Sequence, residues 1–112
     1  MPSTLYQLLQ ASYGVRSTTK TSLVGVQILA AGGKLLSFNP NRLGLIIVNN
    51  GANVAYITPD KSAAVGHGIR LINGGGTMAL KWDVDFELVA SEWYGIADGA
   101  DSDVYIVEIV SY

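Results

Sequence analysis

The sequence predicts an all-β fold, an antiparallel sandwich or barrel, and two observations carry that expectation. From Leu23 to Val110, runs rich in Val, Ile, Leu and Tyr recur at intervals of roughly ten residues, separated by Gly, Asn, Pro and Asp clusters. No helical periodicity lies between them, so parallel crossovers are not expected. Several runs are also apolar on both faces. In Asp103–Val110, Tyr105, Val107 and Ile109 alternate with Val104, Ile106 and Val110, interrupted by Glu108. In Arg42–Val48, Leu43, Leu45 and Ile47 stand opposite Ile46 and Val48. A half-exposed antiparallel strand alternates apolar and polar side chains, so strands like these need something to pack against on each side.

Two regions are expected: 1–22 as an N-terminal arm and linker, and 23–112 as the β domain. Within the arm, Leu5, Leu8, Leu9 and Ser12 fall at helical spacing, Pro2 suits a first turn and Gly14 its end. A helix this short needs a surface to dock on. The polar, β-branched stretch Arg16–Ser22 reads as a linker or extended arm. The expected strands then follow as Leu23–Leu29, Lys34–Phe38, Arg42–Asn49, Ala52–Thr58, Ile69–Ile72, Thr77–Trp82, Phe86–Ala90, Trp93–Ala97 and Val104–Val110. Asn50-Gly51 between two apolar runs reads as a hairpin turn. Gly74-Gly75-Gly76 reads as a turn that needs positive φ or close backbone approach.

Composition narrows the function classes. With 112 residues the chain is one domain, and only 14% are charged against about 25% in a typical soluble domain. Subunit contacts account for such a shortfall, because interface cores are poor in charge. A net charge of −2 and scattered basic residues argue against nucleic acid as a partner. There is no Cys, no apolar run near the roughly 18 residues of a membrane span, and no Sec-type leader pattern. No membrane partner is expected, and the chain is expected to be made and used inside a cell or released by lysis.

Little in the sequence carries chemistry. His67, the single histidine, stands in Gly66-His67-Gly68 without Cys or neighbouring carboxylates, so a loop role is expected. The glycine run lacks the Lys-Ser/Thr of a phosphate cradle. On an expected strand, Asp83, Asp85 and Glu87 would share one face, and Asp98, Asp101 and Asp103 crowd one loop. Such carboxylates suit Ca²⁺ or a glycosidase pair, but neither set has the spacing of a calcium loop. No enzyme activity and no cofactor are expected. Trp82, Trp93, Tyr94, Tyr56 and Tyr105 are the aromatics available to a sugar platform, and a carbohydrate-binding β module, as in an adhesin, is the alternative reading.

The pattern Arg42-x-x-Leu45-x-Ile47-x-Asn49-x-Gly51, followed by Ala55-Tyr56-Ile57, Gly68-x-x-Leu71, Trp93–Ala97 and Val104-x-Ile106-x-Glu108, resembles small β-rich virion proteins of tailed bacteriophages. The likeness spans residues 42–110. It implies a β-sandwich that decorates or cements a capsid, or a minor head or tail component. It also implies a homo-oligomer such as a trimer, with the major capsid protein or another virion protein as partner, and location in the virion after assembly in the host cytoplasm. The expected interface residues are Leu5, Leu8 and Leu9 in the arm, with Ile46, Val48, Ile106 and Val110 on the strands. The strand choice takes the Tyr105/Val107/Ile109 face as the inner one.

Overall fold

In the computed structural model, which describes residues 17–22, 25–61 and 63–111, the strands form two antiparallel sheets. They are β1 (Ser17–Thr21), β2 (Gln27–Ile28), β3 (Gly33–Leu36), β4 (Arg42–Asn49), β5 (Ala55–Thr58), β6 (Ile69–Leu71), β7 (Gly76–Lys81), β8 (Trp93–Ala97) and β9 (Ser102–Ser111). One sheet runs β1-β9-β4-β7, with β2 also pairing with β9, and the other runs β3-β8-β5-β6. The sheets do not close into a barrel, so the architecture is sandwich-like. Leu5, Leu8 and Leu9 lie outside the described residues.

Side-chain alternation builds the core. Leu45 and Ile47 of β4 point inward with Met78 of β7 and with Val104 and Ile106 of β9. From the second sheet they meet Ala55, Ile57, Leu71, Trp93 and Ala97, while Ile28 fills the gap beside Gly95. A β-carbon on Gly95 would come within 3.1 Å of Ile28, so the second sheet has no room there for a larger residue.

The expected inner face of β9 is therefore the outer one. Ile106 and Val110 are core residues, whereas Tyr105 and Ile109 are exposed and Val107 is half-buried. The reason lies in Glu108, which shares the inner side with Ile106 and Val110 and finds its counter-charge there, in Arg42. Arg42 faces the same side as Leu45 because the β4–β9 register shifts by one residue between Arg42 and Gly44, a bulge that changes the alternation.

Three further expectations change. Of the two readings of Arg16–Ser22, Ser17–Thr21 takes the extended one and not the linker: it adds to the sheet edge, with Thr19 opposite Ile109 and Thr21 opposite Val107. Asn50-Gly51 is not a hairpin turn, because β4 and β5 belong to different sheets. Gly51 is required by contact instead, since a β-carbon there would stand 2.0 Å from Ser102 Oγ. Phe86–Ala90 is not a strand. Helix α1 (Trp82–Asp85) runs into a 3₁₀ turn, η1 (Phe86–Ala90). Asp85 Oδ2 accepts the N–H of Lys81 (2.9 Å), the residue before the helix, much as a capping-box carboxylate does, and Asp83 adds negative charge to the first turn. Val89 is buried under the sandwich, and the Trp93 indole N–H donates to Leu88 O, tying η1 to β8. Gly74 and Gly75 behave as expected, with φ of 72° and 128° in the turn into β7.

The face assignment has a direct consequence. Ile106→Ala empties a core position and should cost about 2–5 kcal/mol, while Ile109→Ala should stay within about 0.5 kcal/mol. Urea unfolding of the two variants against the parent measures the difference.

Candidate interaction surface

Register places a grid of side chains on the outer face of the β1-β9-β4-β7 sheet. Thr19 and Thr21 of β1 stand beside Ile109 and Val107. Next come Gly44, Ile46 and Val48 of β4, opposite Ile109, Val107 and Tyr105. Lys81, Ala79 and Thr77 of β7 complete the rows. Among the described residues charge reaches this face at its corners, through Lys81 and through Asp103, whose carboxylate accepts from Gln27 Nε2 (2.8 Å). Ile46, Tyr105 and Ile109 are each about two-fifths exposed.

At the Lys81 corner the face is overhung by α1. Leu43, Gly44, Ile46, Ala79, Trp82, Val84 and Ile109 enclose a groove of about 590 Å³. Gly44 and Ala79 make its floor low, and Ile109 leans over Gly44 so closely that a β-carbon there would meet it at 3.2 Å. Besides Val84, Phe86 and Leu88 of η1 are exposed apolar side chains, with Phe86 73% exposed. Phe86 also holds a φ of 53°, a backbone conformation that costs a bulky residue energy and that accumulates at functional sites.

Of the sequence-derived interface set, Ile46 and Val48 lie on this face, whereas Ile106 and Val110 are in the core and cannot contact a partner without unfolding. Tyr105, Val107, Ile109, Ala79, Trp82, Val84 and Phe86 were not in that set. The alternation that paired Ile46 with Val48 would have found Tyr105 and Ile109 once the face of β9 was known. The helical residues had no such signal, because the stretch reads as a strand.

The polar side chains form structural clamps. Arg42, 3% exposed, donates from Nε to Glu108 Oε2 (2.8 Å), from Nη1 to Val89 O and Ser91 O, and from Nη2 to Ser37 O. At the other end of β4, Asn49 donates to Asn53 O (2.8 Å) and Leu71 O (3.0 Å) and accepts from Ser102 Oγ (2.6 Å) and Gly51 N (3.2 Å). The acidic residues are dispersed or engaged: Asp101 accepts the N–H of Ala30 and Asp103 binds Gln27. Among the described residues, no three His, Asp or Glu side chains stand together to hold a metal ion. His67 sits in an exposed loop bridged through its backbone to Ala64. Trp93 is buried and so cannot form a sugar platform, whereas Trp82 and Tyr105 are exposed.

On the outer face of the second sheet, the Tyr94 hydroxyl donates to Glu92 Oε2, and Lys34 lies 3.6 Å from Glu92 Oε1. The Tyr94 hydrogen bond, helped by the charge of Lys34 against a small desolvation penalty, holds the Glu92 carboxyl below its ordinary pKa of 4.5. The same bond, with desolvation and the carboxylate charge, raises Tyr94 above its ordinary 10.0.

Compared with known proteins, the chain matches no family model, no curated protein and no solved structure.

Two predictions follow from the polar groups. Arg42→Ala leaves Glu108 without its counter-charge and three carbonyls without a donor, and should cost about 3–5 kcal/mol. Arg42→Lys should recover only part of it, since an ammonium cannot reach this set of acceptors with a planar fork. Urea unfolding reads both. The Glu92–Tyr94 bond should stabilise the fold above the ordinary carboxylate pKa, and that contribution is lost as pH falls through the lowered Glu92 value. At the alkaline end it is present below the ordinary tyrosine pKa and is lost as pH rises through the raised Tyr94 value. Ultraviolet titration of phenolate absorbance should show Glu92→Gln returning one tyrosine toward its ordinary range, and Tyr94→Phe removing that same step.

Proposed function

We propose that this chain is a non-enzymatic structural protein of a virus particle. It self-associates through the outer face of the β1-β9-β4-β7 sheet and binds a capsid shell as a decoration, cement or minor head protein. The observation that carries the reading is an antiparallel sheet whose outer side is almost as apolar as its inner one, with charge confined to two corners.

The sheet patch alone is modest in size. Three inter-strand steps of about 4.8 Å and five residues at about 3.3 Å make a patch of roughly 14 by 16 Å. That is small beside the roughly 800 Å² each partner contributes to a standard interface. Val84 of α1 extends it at the groove. Particle symmetry multiplies such contacts, so a modest pairwise interface suffices when many copies are held on one shell. The resemblance carried by Arg42, Leu45, Ile47, Asn49 and Gly51 favours a virion component over other assembly proteins.

Quantitative mass spectrometry of purified particles from the source lysate tests the placement: a copy number comparable with the shell subunit is expected, and absence from particles overturns it. For the surface, Val48→Lys with Tyr105→Lys should reduce the oligomer to the 11.9 kDa monomer in sedimentation equilibrium, with the urea midpoint little changed. An unchanged mass would show that copies meet elsewhere.

A further inference from the structure

We infer that within the assembly the free edge of β7 pairs with β7 of a second copy, antiparallel and about a two-fold axis at Met78. This rests on the association proposed above and adds a second contact to it, made by main-chain groups in the plane of the sheet and not by the outer side chains.

The two sheets end in β1, β7, β3 and β6, and three of these edges carry features that discourage pairing. β6 has three residues with Arg70 at its centre, β3 has four with Lys34 and a register shift, and β1 carries Lys20. β7 has none of these. Gly76–Lys81 is six residues long, pairs with β4 in unbroken register and holds no proline and no charge before Lys81.

The direction of its main-chain groups follows from two hydrogen bonds. One residue beyond β4, Asn50 N–H donates to Asp103 O (3.0 Å), so even-numbered residues of β4 turn toward β9 and odd-numbered ones toward β7. Leu45 and Ile47 therefore bond Leu80 and Met78, their partners in register. Lys81 N–H turns away from β4 and donates to Asp85 Oδ2. Thr77 and Ala79 share the parity of Lys81, so their N–H and C=O groups face the open edge, where no described strand meets them.

This set is self-complementary. Thr77 opposite the second copy's Ala79, and Ala79 opposite its Thr77, make two hydrogen-bonded pairs of two bonds each. A ladder centred on Ala79 would need the Lys81 N–H that Asp85 already holds, so Met78 is the centre. Residues opposite each other across a ladder share a face, so the outer faces of both copies stay on one side. The joined sheet has eight strands, and its seven spacings widen the apolar patch from about 14 to about 34 Å. That offsets the modest size of a single patch beside a standard interface. Four main-chain bonds do not by themselves overcome the entropy of association, so the edges pair only in copies that the outer face also holds. Two such sheets, face to face, close a four-copy assembly.

Proline is tolerated on an edge strand where the N–H faces out, so Ala79→Pro removes one donor per copy without touching the β4 ladder. Its urea midpoint should stay near that of the parent, while sedimentation equilibrium should show the mass fall from four copies to two. A folded Ala79→Pro variant that keeps the parent mass overturns the edge pairing, and a monomeric parent overturns it together with the outer-face association. Val48→Lys with Tyr105→Lys separates the two: loss of assembly in that variant but not in Ala79→Pro rejects the edge alone. Amide hydrogen exchange reads the same edge in the unaltered chain. Thr77 and Ala79 should exchange more slowly when the chain is assembled than on dilution to monomer, whereas Thr19, on the opposite edge of the sheet, should not change. Equal slowing at Thr19 and Ala79, or none at Ala79, overturns the pairing.

Discussion

A single buried guanidinium sets the geometry on which the sandwich depends. Arg42 enters the core at the first position of β4, where a bulge turns it to the same side as Leu45 and Ile47. An unpaired charge there would be prohibitive, and the cost is met by one carboxylate and three main-chain carbonyls drawn from different parts of the chain. Those partners are what the cation organises: Ser37 before β4, η1 through Val89 and Ser91, and β9 through Glu108. Replacing the group with an apolar side chain could fill the volume, but nothing would then bring these three segments to one point.

Asn49 performs the matching task at the other end of the same strand. Its amide satisfies carbonyls of Asn53 and Leu71 on the route to and within the second sheet, and its oxygen receives Ser102 and Gly51. The chain can cross from β4 to β5 only if Gly51 passes against Ser102, where no β-carbon fits. β4 is thus an apolar strand held between two polar clamps, each joining it to β9 and to elements beyond its own sheet. The residues Arg42, Leu45, Ile47, Asn49 and Gly51 form one spaced pattern in the sequence because they are the two clamps and the core positions between them.

The sequence made the strands legible where apolar, β-rich runs were bounded by turn residues, as in β4, β8 and β9, and their limits agree closely with expectation. Which side of β9 faced inward was not legible. Glu108 makes the true inner face the less apolar of the two, and only its long-range pairing with Arg42, 66 positions away, reverses that reading. The 82–90 stretch misled for a local reason. Val84, Phe86 and Leu88 alternate like a strand, while the feature that bends the chain is a carboxylate reaching back to the Lys81 N–H. Ser17–Thr21 lacked apolar residues and so was open to reading as a linker, although a β-branched stretch with Lys20 as its one charge suits an edge strand once a neighbour such as β9 offers free backbone groups.

The shortage of charge is not spread evenly over the molecule, and this is what gives it meaning. On the second sheet the outer face mixes Tyr56 and Ile96 with Arg70, Lys34, Tyr94 and Glu92, a surface that water can cover. On the first sheet the equivalent rows are Thr, Ile, Val, Tyr, Ala and Gly, with charge at the margins. Two sheets of one small domain, made by the same chain and sharing one core, therefore present opposite outer faces. A general bias toward uncharged residues would have bleached both. The uncharged rows are confined to one side, and α1 sets Val84 at its margin, with Phe86 two residues on at a φ of 53°.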